Sequence, residues 1–304
     1  MAHGSEGSLR AILYALAANG GIALTKLVAA AWTGSGAMLA EAIHSCADCV
    51  NQGLLLLGLR QARRPESEDH PLGHHRVIYY WAMLVALMLF FVGGVFSIWE
   101  GVTRLRHPEP VENGLVALIV LAIAVVLEAF SLWGAMREIN RERGRQPLLR
   151  WFRDTRQSAL MVVAGEDVAA LSGLVVALCA VSATLASGDP VYDALGTLVV
   201  GVVLIVVAGA VLREVKGLIV GESLAPELRQ RMRAHFEAQP EIETVFRIIT
   251  LAWGERAVVA VKARVREDFA RTGTELVATI NRLEARFEVA FPQVGWLFFE
   301  PDVR

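Results

Sequence analysis

Six apolar runs of about 20 residues or more, too long for the core of a soluble domain, constrain this chain most. They lie near residues 9 to 32, 37 to 60, 77 to 99, 113 to 136, 158 to 186 and 190 to 212. About 20 helical residues at 1.5 Å rise each cross the roughly 30 Å hydrocarbon layer of a bilayer. Every backbone N–H and C=O must be satisfied internally there, so each run is expected to form a transmembrane helix. Composition agrees, with 55% hydrophobic residues in 304 and a mean hydropathy of +0.47. Past Leu212 charges become frequent and no further spanning run follows.

The net charge of −2 says less than where the positive charges lie. Arg60, Arg63, Arg64 and Arg76 occupy the second loop, and Arg137, Arg141, Arg143, Arg145, Arg150, Arg153 and Arg156 the fourth. The first and fifth loops, 33–36 and 187–190, carry none. The positive-inside rule then puts both termini and the even loops in the cytoplasm. Arg104 and Arg106 in the third loop run against it, beside Glu100, Glu109 and Glu112. The first residues lack the charged-then-apolar pattern of a signal peptide, so no removable targeting sequence is expected. The expected location is the inner or plasma membrane of a bacterium. The Arg-rich fourth loop reads mainly as a cytoplasmic anchor, with some attraction for anionic headgroups.

Against this background Glu41, His44, Asp48 and Asn51 stand out in the second run. At 100° per residue they fall within about 80° of arc and form one polar stripe. A charged group at the bilayer centre costs about 2.5 to 3.5 kcal/mol, so the stripe marks an ion site. His44 and Asp48 are four apart and converge, and imidazole with carboxylate suits zinc, manganese, iron or cobalt. The competing reading is a hydrogen-bonded pair that joins two helices. The fifth run adds Glu166 and Asp167. Asp167 is the natural third ligand, whereas Glu166, about 100° around the helix, either bonds a neighbouring helix or enters the site through a local distortion.

A site shared by two helices that can move apart permits alternating access. Because ligands must lose protons to bind metal, protons compete with it, and metal–proton exchange is expected. Glu128, acidic within the run Leu115–Trp133, is read as a structural partner or part of a proton path. Glu68, Asp69, His70, His74 and His75 crowd the second loop. They form either a second metal position, best served by His70 and His74 if the segment is helical, or a polar surface loop. Cys46 and Cys49 have CxxC spacing but lie about 160° and 100° from Asp48, so they read as packing residues. Asn19 and Lys26 share a face of the first helix, as a helix contact or with a snorkelling lysine.

The last 80 or so residues read as a small α-β-β-α-β domain, ferredoxin-like in order. Pro226 to Gln239 and Thr272 to Val289 have helical spacing, while 244–252, 257–265 and 294–300 read as strands, the first two joined around Gly254 and Glu255. Helices on one side of an antiparallel sheet are expected, and a core this small invites pairing with a second copy. The chain therefore divides into a transport domain, 1–215, and a C-terminal dimerisation domain, 216–304. The fold class is an α-helical membrane protein with a cytoplasmic α+β domain.

The stretch Ala40-Glu41-Ala42-Ile43-His44-Ser45-Cys46-Ala47-Asp48, with His70-Pro71-Leu72-Gly73-His74-His75-Arg76, resembles the cation diffusion facilitator family of zinc transporters. The resemblance covers nearly the whole chain. It implies a homodimer that moves divalent metal, usually zinc, out of the cytoplasm in exchange for protons, with His44, Asp48 and Asp167 as ligands. Family members usually carry a histidine or aspartate four positions before that aspartate, where this chain has Val163. The pair Glu166-Asp167 instead resembles the branch that contains eukaryotic zinc transporter nine. Glu166, Asn51, Glu41 or water then remain as the fourth ligand. His235 is the only histidine of the C-terminal domain, so a regulatory zinc cluster is not expected there. No prosthetic group and no nucleic-acid partner are expected; the divalent metal is cargo. The alternative is a non-transporting metal sensor or membrane scaffold with the same fold. An intramembrane metalloenzyme would want a motif such as H-E-x-x-H, which is missing, so no enzyme is expected.

Overall fold

The computed structural model describes residues 3–33, 36–108, 114–155 and 157–303, with the helical backbone alone at 3–8, 29–30, 32–33, 36–44, 47 and 154. The membrane part comprises α1 (His3–Thr33), α2 (Gly36–Ala62), α3 (Val77–Met88), a π-helical stretch (Leu89–Val95), α4 (Phe96–Arg106), α5 (Gly114–Arg143), a short α6 (Leu148–Asp154), α7 (Ser158–Ser187) and α8 (Val191–Val220). Among the described residues five segments are long and apolar enough to cross a membrane: Leu9–Val28, Val77–Arg106, Gly114–Arg143, Ser158–Ser187 and Val191–Val220. The remaining expected span coincides with α2, 27 residues long, which carries the polar stripe. The chain is a multi-pass membrane protein.

Lipid tails are as apolar as leucine, so helices in a bilayer associate through close packing. Helix α1 packs on α2 and α5, α5 on α7, α7 on α8, and α8 on α3, the π-helical stretch and α4. The inward faces bury Ile12, Leu55, Tyr79, Ile139, Leu160 and Leu218 in one cluster. Leu115, Ile119, Val126 and Val206 point outward. Backbones touch where Gly94 meets Gly201: a Cβ on Gly201 would lie 2.9 Å from both Gly94 O and Ile98 N. Arg104, one of the two charges at odds with the topology rule, is neutralised by Glu100 at 2.8 Å and by Asp193 of α8 at 2.7 Å.

The C-terminal unit has its own core. Helix α9 (Pro226–Glu237) starts at a proline, whose missing N–H is harmless in a first turn. Strands β1 (Ile242–Trp253) and β2 (Arg256–Val265) form an antiparallel hairpin, followed by α10 (Gly273–Ala290) and β3 (Val294–Pro301). A capping box starts α10: Thr272 Oγ1 accepts from Glu275 N at 3.1 Å, and the Glu275 carboxylate from Thr272 N at 3.2 Å. The sheet corrects the expectation of antiparallel pairing. Its order is β1-β2-β3, and β3 runs parallel to β2. The physical reason is the crossover: α10 carries the chain back along the sheet before β3 begins.

Along β2, Ala257, Val259, Val261 and Ala263 face the helices and meet Met232, Phe236, Leu283 and Phe287. On the other face one row, Ile249, Ala260 and Phe298, crosses all three strands in register. Ile249 is 48% and Phe298 55% exposed.

The two parts meet at the hairpin tip. Trp253 Nε1 donates to Leu72 O at 2.9 Å, and Gly254 N to the Tyr79 hydroxyl at 2.9 Å. Gly254 has φ +65°, and a Cβ there would strike the backbone carbonyl of His75. Arg76 stacks over Trp253 at 4.7 Å while its guanidinium donates to the carbonyls of Leu218 and Ile219 near the end of α8. Burial, aided by Arg256, pushes the His75 imidazole below its usual range. Burial pushes the Glu255 carboxyl up, against the pull of Arg63.

Candidate ion site in the helix bundle

The first third of α7, Ser158 to Asp167, is buried at every position. Neighbouring residues on a helix diverge by about 100°, so Glu166 and Asp167 turn to different neighbouring helices. Glu166 turns to α2, where Asn51 Nδ2 donates to Oε1 at 3.1 Å and Gln52 Nε2 to Oε2 at 2.7 Å. Asp167 turns to α5, where Ser131 Oγ donates to Oδ2 at 2.9 Å. The acidic pair thus ties α7 to two neighbours, and Glu166 is the member that reaches the helix with the stripe. No distortion of α7 is needed for this.

Glu128, Glu166 and Asp167 are 2%, 4% and 1% exposed. Asp48 is half-buried on α2. Asp167, Glu166 and Asp48 act electrostatically on Glu128 with one sign and Lys26 with the other. Four carboxylates from α2, α5 and α7 therefore share one low-dielectric region. Lys26 is 6% exposed, buried in the bundle rather than snorkelling, and Asn19 on the same face is 7% exposed. Neutral donors stabilise individual carboxylates by about 1.5 to 3 kcal/mol each and Lys26 offsets part of the charge, which leaves the remainder for a cation or protons to balance.

The backbone of Glu41 and His44 belongs to α2, and their side chains lie outside the described residues. Among the described residues no three His, Cys, Asp or Glu side chains converge closely enough to hold a metal ion. Val163, one turn before Asp167, is wholly buried and offers no donor. Cys46 and Cys49 are free thiols. In the second loop, residues 64–76 are irregular rather than helical, with Gly73 at φ +66°. His70 and His74 nevertheless stack with ring centroids 4.2 Å apart, while Glu68 and Asp69 are exposed. His74 Nδ1 is buried with no partner among the described residues.

Gln52 and Ser131 escaped the sequence reading, which followed the ionisable residues and, among the neutral ones of these helices, only Asn51. Their spacing was the available signal: Gln52 lies one turn beyond Asp48 and Ser131 one turn beyond Glu128.

Comparison with known proteins adds an independent line. The family model for the cation efflux transmembrane domain matches residues 12–220. The chain is 33% identical over 242 residues to the proton-coupled zinc antiporter SLC30A9, mitochondrial, of Xenopus laevis, and 31% identical to that of Homo sapiens. Each match covers 79% of this chain and 43% of the relative, so the chain spans less than half the length of these relatives. It is also 26% identical over 263 residues to zinc transporter ZitB of Escherichia coli (strain K12), covering 86% of this chain and 78% of ZitB.

Proposed function

The chain belongs to the cation efflux family, and we propose that it is a proton-coupled antiporter exporting a divalent transition metal from the cytoplasm by alternating access. The family is one of membrane transport proteins, and the chain is not an enzyme. Zinc is the foremost cargo, with iron, manganese and cobalt as alternatives for the same donor types. The observation that carries the reading is the gathering of buried Glu128, Glu166 and Asp167 with half-buried Asp48 in one region of an apolar bundle. Such a concentration of negative charge is tolerable only with cations or protons to balance it, and alternation between the two is antiport.

His44, Asp48 and Asp167 are the proposed ligands, with Glu166, Asn51 and Glu41 as further donors. Glu128 is proposed for the proton path. The stacked His70 and His74, with Glu68 and Asp69 nearby in the chain, are proposed as a second metal position. Residues 1–215 would form the transport domain and 216–304 the dimerisation domain. The row of exposed Ile249 and Phe298 on either side of Ala260 supports pairing with a second copy into a homodimer. Cytoplasmic termini are proposed from the arginine distribution, with Arg104 accounted for by its ion pairs, and a bacterial inner or plasma membrane is proposed as the location. Val163 favours one alternative, a non-transporting metal sensor or scaffold, which would bind metal without flux.

The test is zinc entry into proteoliposomes under an imposed pH gradient. Wild-type protein should carry zinc only with the gradient, and Asp48→Ala and Asp167→Ala should stop it while still inserting and dimerising. Unchanged flux in both variants would overturn the proposal.

A further inference from the structure

Glu166 is held by two amides, and each amide is only half used. The Asn51 and Gln52 nitrogens take one carboxylate oxygen each, at 3.1 and 2.7 Å. Their carbonyl oxygens, Asn51 Oδ1 and Gln52 Oε1, are buried without a partner among the described residues. Gln52 is wholly buried and Asn51 is 4% exposed. An ionised carboxylate can only accept, so both amides must offer it nitrogen and turn oxygen elsewhere. A buried acceptor with no donor is expensive, and two beside one carboxylate need a reason.

Taking this cluster as the cargo site, as proposed above, we infer that Gln52 is a positioning residue of that site: its N–H aims Glu166, and its unpartnered carbonyl oxygen is satisfied by the arriving cation or by a water the cation carries. A neutral amide suits this place better than a fifth carboxylate would. It supplies an oxygen that divalent cations accept while adding no charge to a region already holding four acids. It also serves where Val163 contributes nothing. Cation arrival and the placement of Glu166 are thereby linked through a single side chain. Were Gln52 only a stitch between α2 and α7, its loss would lower stability and leave the response to metal concentration untouched.

Gln52→Met keeps the length and bulk of the side chain and removes both halves of the amide. Zinc flux into proteoliposomes, measured over a range of zinc concentrations, should show KM raised about tenfold with kcat changed less than about threefold. An unchanged KM in folded Gln52→Met, or a loss confined to kcat, overturns the inference. A second measurement needs no variant: infrared difference spectra of wild-type protein, labelled with 13C at the glutamine side-chain carbonyl, should show a glutamine band that shifts when zinc is added. Absence of that shift overturns the inference even if Gln52→Met fails to fold. Asp48→Ala run in parallel separates the two levels. If Asp48→Ala still carries zinc, the reading of the cluster fails and Gln52 with it; if it stops zinc while Gln52→Met behaves as wild type, only the role of Gln52 is lost.

Discussion

Replacing Gly254 by alanine should undock the hairpin tip from the membrane bundle. Gly254 sits at φ +65°, where a Cβ costs about 1 to 2 kcal/mol from the backbone alone. That Cβ would also meet the backbone carbonyl of His75, which has no flexible side chain to yield. The tip must withdraw, and two hydrogen bonds go with it: Gly254 N to the Tyr79 hydroxyl and Trp253 Nε1 to Leu72 O, both 2.9 Å. At about 1 kcal/mol each, these bring the penalty to roughly 3 to 4 kcal/mol, or two to three orders of magnitude in the opening equilibrium. Hydrogen exchange of the reconstituted protein reads this directly. Amides at 70–79 and 252–256 should exchange faster by about that factor while those at 259–263 keep their protection. Unchanged exchange at both sides of the junction, or a uniform rise through the whole sheet, would refute the reasoning.

Other expectations follow from single contacts. Burial lifts the Glu241 carboxyl, but the hydrogen bond from Arg286 at 2.6 Å and a backbone hydrogen bond outweigh it, so the group titrates below ordinary glutamate. Its contribution to stability is present above the unfolded glutamate pKa and is lost as pH falls through the lower folded value. Melts of full-length protein between neutral pH and pH about 3 should therefore show a smaller acid loss in Glu241→Gln than in wild type, and equal losses would contradict this. Gly201→Leu would drive a side chain into Gly94 O and Ile98, so detergent-solubilised protein should lose its monodisperse elution; normal elution with a wild-type melt would contradict it. Phe236 is wholly buried and stacks on Phe287 with centroids 4.8 Å apart. Phe236→Ala should destabilise the C-terminal unit by about 3 to 5 kcal/mol, measured by denaturant titration of tryptophan fluorescence.

Much of this architecture is written in residue types whose physics is strong. Long apolar runs have one outcome in a bilayer, so the helices of the bundle could be read with their approximate limits. A proline at position 226 and the Thr272/Glu275 cap mark helix starts chemically. The parallel β3 was harder, because alternation along a strand says which face is buried and nothing about direction; the intervening helix was the clue. The π-helical stretch at Leu89–Val95 has no periodic signature in so short a segment. In the ion cluster, charged residues announced themselves by the cost of burying them. Gln52 and Ser131 did not: a neutral side chain carries a smaller burial cost, and without the partner across the bundle only Asn51, aligned with the charged stripe, stood out.

The central claim is that the acids of α2 and α7 form the cargo site, and equilibrium zinc binding tests it most directly. Wild-type protein, Asp48→Ala and Asp167→Ala would be compared in nanodiscs at neutral pH with no gradient, by competition with a zinc-responsive dye. The account predicts that each variant loses one tightly bound zinc per chain while zinc held by the second loop is retained. Zinc binding in both folded variants equal to that of wild type would contradict it.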